Sequence, residues 1–207
     1  MTLEELMALL VLATIGSFTP GPNTALSTTL AANHGLRRAL PFVCAVPCGW
    51  GLLLLASSAG LGLVVQQYPA ARWALLLFGA SYLLWLAARL ARTTALSAQR
   101  QDTVRIRFVQ GVGLQFLNPK AWFLAISVVS GWVVGFGNTL ERLALVLPLF
   151  MLFGLSSNLA YACVGAILRE WLQGPDGTAK RLVAFNRLMA LGLVGTTVWM
   201  AVGVVRA

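Results

Sequence analysis

Charge is scarce in this chain. Only 10% of its 207 residues are Asp, Glu, Lys or Arg, against roughly 25% in an ordinary soluble domain. A water-facing surface cannot be assembled from so few charges, which excludes a soluble globular fold. Acidic residues are scarcer still. Glu4, Glu5, Asp102, Glu141, Glu170 and Asp176 are all of them, and each falls at a terminus, in a loop or at the edge of an apolar run. No carboxylate is left to neutralise a cation in mid-membrane, where an unpaired charge is expensive. With one histidine and three cysteines, the chain also lacks the nucleophile–base pair or metal cluster that an enzyme needs. No catalytic residue, metal site or cofactor is expected.

What the chain has instead is hydrophobic length. Residues of the apolar set make up 58%, and the mean hydropathy is +0.81. Hydrocarbon about 30 Å thick takes roughly 20 apolar residues to cross as a helix. Uncharged stretches of that order run from Leu6 to Gly35, from Ala39 to Ala71, from Ala121 to Leu140, from Leu143 to Leu168 and from Leu188 to Val205, with a shorter one from Trp73 to Ala88. The pattern predicts an all-α integral membrane protein with six helices near 3–19, 40–65, 70–91, 108–134, 141–168 and 184–205. Residues 1–207 form a single domain.

The net charge of +9 points to lipid rather than nucleic acid, because basic residues of membrane proteins gather in cytoplasmic loops facing anionic headgroups. Eleven of them fall on one side: Arg37 and Arg38 in the first loop, Arg89, Arg92, Arg100, Arg105 and Arg107 in the third, Arg169, Lys180, Arg181 and Arg187 in the fifth. The other side holds Arg72, Arg142 and Arg206. The positive-inside rule then puts both termini outside the cytoplasm. The start, Met1-Thr2-Leu3-Glu4-Glu5, lacks the basic region of a signal peptide, so the first segment is expected to be retained. The stretch 91–107 and the cluster Gln173-Gly174-Pro175-Asp176-Gly177 read as aqueous turns.

Two spans are interrupted. Leu3 to Asn33 is 31 residues, about 46 Å as a helix, and inside it sits Ser17-Phe18-Thr19-Pro20-Gly21-Pro22-Asn23-Thr24. Pro20 and Pro22 lack N–H groups and their rings clash with the carbonyls four residues back, leaving those of Gly16 and Phe18 without helix partners. In hydrocarbon such a break survives only where protein or a wet cavity covers it. Beyond it, Thr24, Ser27 and Thr28 share one helix face. A second break falls at Gln115-Phe116-Leu117-Asn118-Pro119-Lys120-Ala121-Trp122. The two prolines superimpose when the chain slides by 99 residues. This predicts two inverted three-helix halves, about 1–91 and 104–207, with broken helices 1 and 4. Paired broken helices of that kind point to a substrate site at the midplane; the alternative is a pair of plain kinks.

The segments Phe18-Thr19-Pro20-Gly21-Pro22-Asn23-Thr24, followed by Gly35, and Phe116-Leu117-Asn118-Pro119-Lys120-Ala121-Trp122 resemble the two signatures of the LysE/RhtB amino-acid exporters. The resemblance covers essentially the whole chain. It implies export of a small-molecule amino-acid substrate across the bacterial cytoplasmic membrane, driven by the proton motive force, with protons as coupling ion. Residues 77–86 are similar to the third helix of members that handle small neutral amino acids. Exporters of basic amino acids in the family carry an acidic residue after a glycine in helix 2, where this chain reads Cys48-Gly49-Trp50, and Ala45 stands where a glycine is usual. Lysine and arginine are thereby disfavoured as substrates.

The candidate substrate-binding residues are Pro20, Gly21, Pro22, Asn23, Thr24, Asn118, Pro119 and Lys120. Lys120 is the one charge embedded in an apolar stretch. Its ammonium either binds a substrate carboxylate, helped by the N–H groups of a half-helix start, or snorkels to the interface. Cys44 and Cys48, four apart on helix 2, suit either packing or a soft metal cation as an alternative cargo. His34 reads as a solvated loop residue or a proton relay. Gly131-Trp132-Val133-Val134-Gly135 fits small-residue helix packing, within the chain or between copies of a homo-oligomer. Asn158 and Asn186 are expected to hydrogen-bond neighbouring helices, and Tyr68, Trp73, Trp85 and Trp171 to lie at the interfaces.

Overall fold

The computed structural model describes residues 1–93, 105–174 and 179–206. Arg100, Asp102 and Asp176, assigned above to aqueous loops, lie outside the described residues. The described part is all helical. In chain order the helices are α1 (Leu3–Phe18), α2 (Pro22–His34), α3 (Leu36–Gln67), α4 (Pro69–Ala91), α5 (Phe108–Phe116), α6 (Pro119–Val133), α7 (Thr139–Gln173) and α8 (Lys180–Arg206).

Four of these, α3, α4, α7 and α8, are singly long and apolar enough to cross a bilayer. The pairs α1–α2 and α5–α6 each make a further span bent at its break, by 49° and 67°. Counting each bent pair as one span gives six, with the first and fourth broken, in line with the two proline motifs. Both breaks begin the next half-helix with proline, at Pro22 and Pro119, where its missing N–H costs nothing.

The helix ends depart from expectation in one direction. α3 begins at Leu36, not near 40, and α7 and α8 extend to Gln173 and back to Lys180. Arg37 and Arg38 therefore lie in the first turn of α3 and not in a loop. Gly35, with φ of +84°, reverses the chain in one residue. Charged residues end an apolar run but not a helix, because Arg, Lys and Glu are good helix formers. At 35 residues α7 is about 52 Å long and projects past the hydrocarbon. Two π-helical turns, Ser57–Leu61 in α3 and Val129–Val133 in α6, also interrupt the regular ladder.

α2 lies at the centre. All its residues but Asn23 and Ala25 are buried, although its composition is the most polar of the spans. It satisfies itself locally: Thr28 and Thr29 hydroxyls donate to the carbonyls of Thr24 and Ala25 at 2.9 and 2.7 Å. α2 packs along α7, α5 along α3, and α4 along α8. One apolar cluster joins α2, α3, α4 and α8 through Leu26, Phe42, Leu86 and Leu193; another joins α1, α3, α6 and α7 through Leu9, Leu53, Ala125 and Phe150. α1 turns Leu3, Met7, Val11 and Ile15 outward, a stripe four residues apart that suits lipid. Its start is pinned by Glu5, whose carboxylate pairs with Arg142 at 3.2 Å while its carbonyl accepts from the Trp132 indole at 2.9 Å.

Three further expectations meet the structure here. His34 is buried, at 6% exposure, as the last residue of α2, so it is not a solvated loop residue: the chain reverses at Gly35 under cover of α7, whose Arg169 guanidinium lies against Gly35. The Gly131–Gly135 motif is not a packing seam within the chain. Gly135 falls beyond the end of α6, and a Cβ placed on either glycine would meet nothing within 4 Å. Asn186 does bond across helices as expected, exchanging amide hydrogen bonds with Asn33 of α2 at 2.7 and 2.9 Å.

Candidate functional site

The stranded peptide groups of the first break define the site. The Ser17 carbonyl accepts from the Ser157 hydroxyl at 2.6 Å, that of Phe18 from the Tyr161 hydroxyl at 3.0 Å, and that of Thr19 from the Lys120 ammonium at 3.0 Å. Three consecutive carbonyls at the end of α1 are thus capped by three side chains from two later spans, Lys120 of α6 and Ser157 and Tyr161 of α7. Of the two carbonyls expected to be orphaned, Phe18 has this partner. The end of a helix carries partial negative charge, so an ammonium is well placed there. Lys120 lies beside the other break, and its Nζ would be 3.4 Å from a Cβ on Gly21.

The break is held shut by its own caps. Thr24 folds back on Gly21, its hydroxyl accepting from the Gly21 N–H at 2.9 Å and donating to the Gly21 carbonyl at 3.0 Å. At the second break, the Asn118 side-chain oxygen accepts from the Lys120 N–H at 3.1 Å, capping α6. The Trp122 indole donates to the Phe116 carbonyl at 2.9 Å.

A direct bond joins the two broken spans. Asn23 and Gln115 exchange amide hydrogen bonds, at 2.8 and 3.2 Å, with Gln115 fully buried and also donating to the Gly111 carbonyl. The prolines of the two motifs therefore mark segments that meet. If this pair holds the spans together, Asn23→Ala and Gln115→Ala should each lower stability while the double variant loses less than their sum. The coupling should be about 0.6–1.7 kcal/mol, the scale of interhelical hydrogen bonds in membranes, measured by denaturation of the detergent-solubilised protein. Strict additivity would show that the pair contributes nothing.

A cavity of about 70 Å³ opens where the breaks meet. A water needs about 10–15 Å³ of such space, so several waters or a small solute fit. Of the eight predicted residues, Gly21, Pro22, Asn23, Thr24, Asn118 and Lys120 line it; Pro20 and Pro119 make the breaks but are not in the lining. Lys120 is the one ionisable side chain in the wall. The apolar part comes from Val46, Pro47, Trp50, Leu124 and Phe150. Trp50 stacks on Phe150 with centroids 4.8 Å apart, and its buried indole N–H has no hydrogen-bond partner. Asn158 completes the polar side, accepting from Ser27 at 2.8 Å. Cys44 and Cys48 are absent from the lining, and no group of three metal-ligating side chains occurs among the described residues.

Sequence reasoning missed Gln115, Ser157 and Tyr161. A signal for the last two exists: Ser157, Asn158 and Tyr161 fall on adjoining helix faces within an otherwise apolar run. Gln115 offers none, being a single amide beside a motif.

Six helical spans, two of them ruptured and joined around a small cavity with one cation, define a membrane carrier. The pattern that describes the LysE type translocators matches residues 14–203, and the chain belongs to this family. It is similar to the cysteine/O-acetylserine efflux protein of Klebsiella pneumoniae subsp. pneumoniae, with 29% identity over 82% of this chain and 86% of the relative. It is also similar to the proteins of that description in Escherichia coli O6:H1, at 29% over 82% and 87%, and Salmonella typhi, at 29% over 75% and 80%. No solved structure matches the chain. The protein is thus a multi-pass transporter and not an enzyme.

Proposed function

We propose that this protein exports small neutral amino acids, or derivatives such as the cysteine and O-acetylserine for which its relatives are named, across the bacterial cytoplasmic membrane. The observation that carries this reading is the Lys120 ammonium seated on the Thr19 carbonyl inside a cavity without a carboxylate. A zwitterion fits such a site in one sense. Its ammonium takes the place of Nζ on the α1 carbonyl, and Lys120 turns to its carboxylate, assisted by the Asn23 and Asn118 amides and the N–H groups at the start of α6. The wall of Val46, Trp50, Leu124 and Phe150 receives a short neutral side chain. A second cation in the solute, as in lysine or arginine, would find no counter-charge there.

Access alternates as the halves 1–91 and 104–207 rock about the joined breaks, with both termini on the outer side. Protons are the coupling ion. An efflux screen tests the reading: cells overproducing the protein are challenged with amino acids and toxic analogues, with and without a protonophore. Faster, protonophore-sensitive efflux of a neutral zwitterion is expected. Protection against no zwitterion would overturn the reading. Cys44→Ser/Cys48→Ser should leave efflux within about twofold of the parent, since neither thiol touches the cavity; loss of transport would instead favour the soft-metal cargo.

A further inference from the structure

A second, larger recess lies away from the transport cavity, between α4 and α8. Two hollows adjoin there, sharing Ala91 and Arg187. The outer one, about 480 Å³, is walled by Arg92, Thr93, Lys180 and Arg187; the inner one, about 440 Å³, by Leu84, Ala88, Leu191 and Val194 among others. The inner hollow runs two turns along each helix, about 10 Å, and apart from Arg187 every residue in its wall is aliphatic.

The three cations at the mouth differ from their neighbours. Arg89 lies over the Trp85 ring at 5.2 Å, and Arg181 lies over Trp171 at 4.9 Å and donates to its carbonyl. Among the described residues Arg92, Lys180 and Arg187 have no such engagement, and no described carboxylate is in either wall. The single ion pair among the described residues, Glu5–Arg142, belongs to another part of the fold. Three cations that no carboxylate among the described residues compensates, above an aliphatic slot, call for a ligand with an anionic head and a hydrocarbon tail. A free inorganic anion would leave the slot empty, and a neutral lipid would leave the cations unmatched.

We infer that the α4–α8 groove is a binding site for an anionic phospholipid, its phosphate held by Arg92, Lys180 and Arg187 and one acyl chain lying along Leu84, Ala88, Leu191 and Val194. Basic pockets between spans on the cytoplasmic side hold such headgroups in general, and the charge distribution puts this mouth on that side. The location gives the lipid a role. α4 and α8 are the last spans of the two halves and pack on each other, so the lipid fills a seam between them and stabilises their pairing. This inference stands whatever solute the carrier moves.

The test uses the full-length protein purified in a neutral detergent, with phosphatidylglycerol or phosphatidylcholine added. Lipid retention is read by native mass spectrometry and stabilisation by thermal unfolding. Phosphatidylglycerol should be retained and raise the melting temperature; phosphatidylcholine should do neither. A basic contact at an anionic lipid surface is worth a factor of about five, so Arg92→Gln/Lys180→Gln/Arg187→Gln should weaken retention by about 100-fold. Arg37→Gln/Arg89→Gln/Arg181→Gln removes equal charge at the same membrane face and should retain the lipid. Ala88→Trp fills the slot with every cation in place and should also weaken retention. Equal binding of both lipids, equal loss in the charge-matched control, unchanged binding in Ala88→Trp, or displacement by inorganic phosphate would each overturn the assignment.

Discussion

Replacing Lys120 with Met should lower the initial rate of export about 10- to 100-fold while leaving the amount of protein in the membrane unchanged. The substitution keeps the stem and removes the charge. Hydrogen bonds to charged groups contribute about 1.5–3 kcal/mol, and each 1.4 kcal/mol is tenfold in affinity. The Thr19 carbonyl simultaneously loses its donor at 3.0 Å, and the cavity loses the one ionisable group in its wall. Lys120→Arg retains charge but presents a planar fork where a point cation was fitted, so its rate should fall between the two. Export from preloaded cells, normalised to protein by immunoblot, provides the measurement. A carboxylate contact makes a sharper demand: a substrate amide lacking the carboxylate should discriminate poorly between the parent and Lys120→Met. Undiminished export of the zwitterion by Lys120→Met would remove this residue from the site.

Adding one methyl group at Gly165 or Gly79 should destabilise the protein by about 1–3 kcal/mol, the range for overpacking a close-packed interior. A Cβ on Gly165 of α7 would overlap the Thr28 carbonyl of α2, and one on Gly79 of α4 would overlap the Leu117 carbonyl at the second break. In both places the obstacle is backbone, which cannot swing aside as a side chain can. Gly165→Ala and Gly79→Ala should therefore unfold at lower temperature and lose export, because α2 and the second break are the elements that shape the cavity. Gly192→Ala offers the comparison, since nothing lies within 4 Å of its Cβ position and its melting temperature should be unchanged. A parental melting temperature in Gly165→Ala would mean that α2 and α7 are not in contact there.

The spans and breaks were legible because each has a one-dimensional signature. An uncharged run of membrane length has few alternatives, and a proline pair inside such a run demands a rupture. Asn158 and Asn186 were legible for a related reason, as amides in hydrocarbon must find partners. The donors that cap the first break were not, since Ser157 and Tyr161 lie about 140 residues from the carbonyls they reach, and only packing brings them together. Gln115 adjoins the second motif, yet nothing in the sequence says that it faces Asn23. The misplaced ends have one cause: the expected spans follow the apolar runs closely, whereas α3, α7 and α8 continue in regular turns through the basic residues that flank those runs. The burial of His34 and the open space around Gly131 and Gly135 within the chain depend on neighbours in space, which neighbours in sequence do not reveal.

The capping of the first break has a consequence for the resting carrier. Ser17, Phe18 and Thr19 all borrow their donors from the opposite leaf of the molecule, so drawing the leaves apart strips three adjacent oxygens at once. Hydrocarbon offers them no replacement. In the alternating-access cycle proposed above, an unladen carrier is thereby latched by its own stranded peptide groups and yields when an incoming cation or water replaces those donors.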